Sequence, residues 1–213
     1  MAWIDIAVGV HPHDAAKVDD AGWRRIAGWA TEDRVLAIGE TGLDYDRVFS
    51  PIPDQLTNLR RNLELAADTG KPVILHCRSR ANQRDAQDAL LAELTAMGAD
   101  RPSVVVHSFS GPIDYAQAML DLGAVISFSG LAFRTGEESS AAVARLTPGD
   151  RVLIETDSPF LAAPGAPKGR NEPAYVRITG AWVAQQRDVD PEAFGNALVA
   201  TYDRTFERVR RAS

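Results

Sequence analysis

The sequence predicts an α/β fold of the (β/α)8, TIM-barrel type, shortened at its N-terminus to about six strands. Short apolar runs alternate with stretches whose apolar residues recur at helical spacing, the pattern of a parallel sheet with right-handed crossover helices. Most of these runs end on residues capable of chemistry, and (β/α) barrels gather their sites at the C-terminal ends of strands, which favours a barrel over a doubly wound sheet. The length of 213 residues, with no internal shift in composition, makes 1–213 one domain. A closed eight-stranded barrel uses ~250 residues, so about two strands' worth of chain is expected to be absent at the front.

Trp3–Val10 reads as a buried strand, followed by His11, Pro12 and His13. Trp23, Ile26, Ala27 and Ala30 mark an amphipathic helix that Asp19 or Asp20 caps. Val35–Ile38 is the next strand, with Gly39 and Glu40 at its end and a polar loop through Arg47 to Pro53. Leu56, Leu59, Leu63 and Ala66 form a helical stripe stopped by Gly70 and Pro72. The strand Val73–His76 precedes a stripe of Ala86, Leu90, Leu94 and Met97, and the strand Val104–His107 precedes one of Tyr115, Met119 and Leu122. Ala124–Phe128 is a fifth strand, a weaker helix covers roughly Glu138–Leu146, and Val152–Asp157 is the sixth strand. The loop Pro159–Pro173 carries Lys168 and Arg170, and two helices, about Asn171–Arg187 and Pro191–Arg210, close the chain. Phe194, Leu198, Tyr202 and Phe206 share one face of the last.

Apolar residues at 45% and charged residues at 24% are ordinary globular values, which excludes disorder and a membrane class. No apolar run approaches the ~18 residues of a membrane span. The single cysteine, Cys77, excludes an internal disulfide and suits a reducing cytoplasm. A net charge of −6 leaves no global basic footprint, so any phosphate recognition is local.

Glu40 alone would read as a paired charge at a strand end. His76, His107 and Asp157 end three further strands in the same way, and parallel neighbours bring such ends together. One Glu, two His and one Asp make a mixed nitrogen and oxygen set of the kind that holds a catalytic divalent ion with open positions.

Six motifs then occur in order: GVHPH (Gly9–His13), IGETGLDYDR (Ile38–Arg47), KPVILHCR (Lys71–Arg78), HSFSG (His107–Gly111), ETDSPFL (Glu155–Leu161) and NEPAYV (Asn171–Val176). In these the chain resembles the TatD family of metal-dependent deoxyribonucleases, within the amidohydrolase-like (β/α) barrels. The resemblance implies a two-metal phosphodiester hydrolase acting on DNA. Glu40 would bridge two ions, His76 and His107 would complete one side, and Asp157 would contribute to the other. Chains of this family begin with a strand bearing a His-x-His pair, and a further strand–helix unit precedes their GVHPH segment. This sequence starts just before GVHPH, so that front part is expected to be missing. The resemblance places His11 near the site as a substrate-binding or supporting group, not as part of the lost pair.

The implied chemistry uses up to two divalent cations (Mg, Mn or Zn), with Glu40 and Asp157 catalytic and Asp157 also a general base. Arg78 is placed either to pair with a phosphate or to form a salt bridge with Asp44 or Asp46. Lys168 and Arg170 are candidates for gripping the substrate backbone. The expected partner is DNA, single-stranded or at its ends, with no membrane and with self-association through bared strand edges. A weakened metal-binding barrel without turnover, and another amidohydrolase-like enzyme cleaving an ester or amide, are the alternatives.

Overall fold

In the computed structural model, which describes residues 4–206, the apolar runs are the strands of a single six-stranded sheet in the order β1-β2-β3-β4-β5-β6. A doubly wound sheet reverses its order at a switch point, and a barrel winds one way; the order here is of the second kind. The expected start of the first strand at Trp3, and the expected end of the last helix beyond Phe206, lie outside the described residues. The chain divides into two compact units: one reaches Val105 and includes Thr205 and Phe206, and the other is Val106–Arg204.

The first unit holds β1 (Ile6–Val8), α1 (Asp20–Trp29), β2 (Val35–Asp44), α2 (Ile52–Thr69), β3 (Val73–Arg78) and α3 (Asp85–Ala96). β1 is shorter and barer than expected: Ile4 is 42% and Ile6 39% exposed, because among the described residues the strand stands at the end of the sheet order beside β2. Asp19 caps α1 by accepting the Gly22 N–H at 2.7 Å. α2 ends where the sequence places its stop, on Gly70 in the left-handed conformation.

β2 departs most from expectation. It does not stop at Ile38 but runs on to Asp44, pairing Thr41 with Leu75, Gly42 with His76 and Asp44 with Arg78 after a register shift between Ile38 and Thr41. The segment expected as loop is therefore strand, and two glycines make it so. A Cβ on Gly39 would lie 2.7 Å from the Ile74 carbonyl oxygen, and one on Gly42 would lie 1.9 Å from that of His76. Irregularities of this kind re-aim strand side chains beside functional sites, and Glu40 sits between the two glycines.

α2 buries Leu59, Leu63 and Ala66 as expected, but also Gln55, Asn58 and Asn62. These amides splint neighbouring backbone. Asn58 Nδ2 donates to the Val10 carbonyl at 2.8 Å, and Asn62 Oδ1 accepts the Val10 N–H at 3.2 Å. Gln55 accepts the Asp44 N–H at 2.8 Å and donates to the Asp44 and Ser50 carbonyls at 3.0 and 2.8 Å. Leu63→Ala leaves a void in this packed face, and we expect a loss of about 2–5 kcal/mol, read from the urea midpoint.

β4 (Val104–Val106) leads into the second unit, with α4 (Ile113–Asp121), β5 (Val125–Phe128), α5 (Ser140–Leu146), β6 (Val152–Ile154), α6 (Val176–Arg187) and α7 (Pro191–Phe206). β5 and β6 are parallel, with Ile126 opposite Val152 and Phe128 opposite Ile154. The strand expected to reach Asp157 ends at Ile154. The Glu155 N–H still donates to the Phe128 carbonyl at 2.8 Å, and Asp157 then turns out of the sheet with φ 56°. The helix expected from Asn171 begins at Val176, after a 3-10 turn over Pro173–Tyr175. Asn171 instead holds the preceding loop, donating to the Thr156 carbonyl at 2.6 Å and to that of Phe160.

Candidate metal centre

In the first unit, the parallel pairing of β2 and β3 sets Glu40 beside His76, and the turn after β1 adds His11. Glu40 Oε1 lies 3.1 Å from His76 Nδ1 and 3.7 Å from His11 Nε2. One donor atom from each of the three falls within 4.8 Å of the others, a mixed nitrogen and oxygen set that fits a divalent cation.

The three are not equivalent. His11 caps the 3-10 turn Pro12–Asp14, its Nδ1 accepting the His13 backbone N–H at 3.2 Å. A ring nitrogen that accepts carries no proton, so neutral His11 keeps its proton on Nε2, the atom aimed at Glu40. Burial and the neighbouring His76 hold the His11 pKa down at about 4, which keeps the ring neutral near pH 7. His11 therefore presents an N–H to the site, and Glu40 and His76 present the lone pairs. Burial alone would lower the pKa of His76, but hydrogen bonds to Asp44 and Glu40 outweigh it and raise it.

Asp44 sits behind His76. It is buried, its Oδ2 lying 2.6 Å from His13 Nε2 and 3.4 Å from His76 Nε2. Burial would raise its pKa, but hydrogen bonds from His76, the Arg47 backbone and His13 pull it well below the usual carboxylate range.

In the second unit, His107 follows β4, and Glu155 and Asp157 follow β6. His107 Nδ1 lies 2.7 Å from Glu155 Oε1, and its Nε2 lies 3.5 Å from Asp157 Oδ1. The Ser127 hydroxyl donates to Glu155 Oε2 at 2.6 Å, fixing that carboxylate from β5. These three donors also lie within 4.8 Å of one another, and two carboxylates with one imidazole again suit a divalent cation.

Of the residues expected at the site, Glu40 and His76 meet in one unit and His107 and Asp157 in the other. Arg78 takes the salt-bridge alternative, with Nε 2.9 Å from Asp46 Oδ2. Arg170 pairs with Glu172, its Nε 2.7 Å from Oε1, and Lys168 stands exposed on the same loop. Sequence reasoning missed one member of these clusters, Glu155, and two residues beside them, Asp44 and His13. Glu155 was legible as the first acid of Glu-x-Asp, two residues before Asp157. Asp44 and His13 carried no local signal, since 31 positions separate them and only the fold makes them partners.

Residues 2–207 match the family model described as TatD related DNase. The chain is 37% identical over 204 residues to the 3'-5' ssDNA/RNA exonuclease TatD of Erwinia billingiae, covering 93% of this chain and 76% of that protein. It is 30% identical over 205 residues to YabD of Bacillus subtilis, an uncharacterized metal-dependent hydrolase, covering 96% of this chain and 78% of that one. Among solved structures, the TatD homolog YjjV of Escherichia coli K12 superposes with a TM-score of 0.82 at 27% identity, over 97% of this chain and 78% of that chain. A TatD family hydrolase of Entamoeba histolytica shares the fold, with a TM-score of 0.81 at 22% identity over 95% of this chain and 74% of that one. A sheet whose strand order follows the sequence, and a family match along nearly the whole chain, make this chain a member of the TatD-related DNase family.

Proposed function

We propose that the chain is a divalent-metal-dependent phosphodiesterase that acts on single-stranded DNA at its ends. The observation that carries the reading is the pairing of histidines with carboxylates on and just after the strands, Glu40 with His76 and His107 with Glu155 and Asp157. The relatives named as ssDNA/RNA exonucleases support the choice of substrate.

A divalent ion held by such residues supplies Lewis acidity, polarising a phosphoryl oxygen and making water acidic enough to attack near neutral pH. Glu40 and His76 would hold one ion, and His107, Glu155 and Asp157 would hold another. His11 Nε2–H donates a hydrogen bond to a phosphoryl oxygen. In the second unit, Asp157 is partly exposed and would take a proton from a water bound there. Arg78 can exchange Asp46 for a phosphate, because both members of that pair reach solvent. Lys168, exposed on its loop, adds local positive charge to a chain of net charge −6, and Arg170 would reach a phosphate by exchanging Glu172 for it. Mg, Mn and Zn all suit these donors.

Arg78→Gln should raise KM for a short oligonucleotide about threefold to tenfold with kcat nearly unchanged, the loss of about one exposed charge-assisted contact. An unchanged KM would remove Arg78 from the substrate site. The function itself is tested by incubating the protein with 5'-labelled single-stranded DNA, and separately with amide and carboxylic-ester substrates. Stepwise shortening of the DNA alone is expected. Cleavage of the amide or ester alone would mark a different hydrolase, and metal binding without cleavage of anything would mark a binding scaffold.

No helix among the described residues is long and apolar enough to cross a membrane. The sequence's single cysteine, buried Cys77, supports a cytoplasmic location. Exposed Ile4 and Ile6 beside β1 support self-association at that edge. Light scattering across a dilution series should show a dimer, and a monodisperse monomer at every concentration would contradict it.

A further inference from the structure

We propose that Asp44 is a positioning residue for the metal centre: it accepts the His76 Nε2–H and so leaves His76 Nδ1 as the nitrogen that faces the ion. The inference rests on the metal-centre reading above and concerns a carboxylate outside both donor clusters. Three observations carry it.

First, the two nitrogens of His76 look at different carboxylates. Nδ1 faces Glu40 Oε1 at 3.1 Å, on the side where His11 closes the cluster, and Nε2 faces Asp44 Oδ2 at 3.4 Å. Only one of the two can give its lone pair to an ion while the other keeps a proton.

Second, Asp44 is committed as an acceptor. Its Oδ1 takes the backbone N–H groups of Asp46 and Arg47 at 3.1 and 2.8 Å, and its Oδ2 pairs with His13 Nε2 at 2.6 Å and lies 3.4 Å from His76 Nε2. At 1% exposure, a cation on this side would have to strip those donors from a carboxylate that water cannot reach to replace them.

Third, the carboxylate is mounted rigidly. Gln55 holds the Asp44 backbone at both its N–H and its carbonyl, and also holds the Ser50 carbonyl. Ser50 Oγ donates to the His13 carbonyl at 3.0 Å and accepts the Ala16 N–H at 3.1 Å. The two segments that carry His13 and Asp44 are thus tied to each other and to α2. A buried carboxylate behind a histidine ligand fixes its tautomer and ring orientation, and losing such a partner costs about 10- to 100-fold in metal affinity.

Replacing Asp44 with Asn is a sharp test, because the side-chain oxygen can still accept the Asp46 and Arg47 N–H groups. The amide NH2 would then point at His76, which must answer with the Nε2 lone pair and carry its proton on Nδ1, against the ion. The experiment is long-range 1H–15N spectroscopy of 15N-histidine protein titrated with Zn²⁺, the four histidines being assigned by single His→Gln variants. In the wild type, His76 should keep the Nε2 proton and show the Zn²⁺-induced shift at Nδ1. In Asp44→Asn the proton should move to Nδ1 and Zn²⁺ binding at this cluster should weaken about 10- to 100-fold, with the His107 shifts unchanged as an internal check on folding. If the variant does not fold, the wild-type spectrum decides alone. A wild-type shift at Nε2 with Nδ1 protonated overturns the inference and leaves the metal centre standing. No Zn²⁺-induced shift at His76 overturns the metal centre and the inference with it.

Discussion

Glu40→Gln is expected to abolish metal binding at the first cluster, and turnover with it, while leaving the fold in place. The substitution preserves shape and removes the one negative charge that both histidines of the cluster face, His76 at 3.1 Å and His11 at 3.7 Å. His11 cannot replace the lost ligand, because its Nδ1 is engaged by the His13 N–H and its Nε2 carries the proton. One imidazole then remains, too few donors to hold a divalent ion out of water. The loss should exceed the roughly 10- to 100-fold that removing a ligand's supporting partner costs. Glu40 is partly exposed and packs no core, so the unfolding midpoint should move by no more than about 0.5 kcal/mol. Calorimetric Zn²⁺ titration alongside a urea melt separates the two effects. Full affinity in a folded variant would remove Glu40 from the site.

Gly42→Ala should have the largest effect on stability. Its Cβ would lie 1.9 Å from the His76 carbonyl oxygen in a fixed strand pair, and φ +136° is a conformation that L side chains rarely adopt. Strain of the second kind alone costs about 1–3 kcal/mol, and the clash forces β2 and β3 apart, so about 3–5 kcal/mol is expected. That is a large fraction of the roughly 5–15 kcal/mol by which a domain of ordinary stability is folded. Gly28→Ala is the matched control. Its Cβ meets nothing within 4 Å in exposed α1, and it should be neutral or stabilising by about 0.5–1 kcal/mol. Equal midpoints for the two variants would contradict the close approach of β2 to β3.

The contrast between these glycines shows what the sequence could reveal. Helical stripes such as Leu59–Leu63–Ala66 and Ala86–Leu90–Leu94 were legible because burial imposes a period, and those residues are buried. The strands that carry His76 and lead into His107 were legible because short apolar runs precede both residues, although β3 does not end at His76 as expected but continues to Arg78. The extension of β2 through Glu40 was not. Its glycines read as turn formers, and only the adjacent Ile74 and His76 backbone reveals that they are there for close approach. The polar face of α2 was hidden for a related reason: Gln55, Asn58 and Asn62 look like solvent residues until the backbone groups they satisfy are known. Side chains drawn together from distant strands could be guessed singly. Their hydrogen-bond roles, such as the acceptor at His11 Nδ1, belong to the fold.

The central claim, hydrolysis of a phosphodiester through metal held at these clusters, is tested most directly by turnover of short single-stranded DNA against metal concentration. Protein stripped with a chelator and dialysed should be inactive. Added Mn²⁺ or Mg²⁺ should restore cleavage in a saturable way, and renewed chelation should end it. Cleavage that persists at full rate in the stripped protein, or that ignores added metal, would contradict the claim.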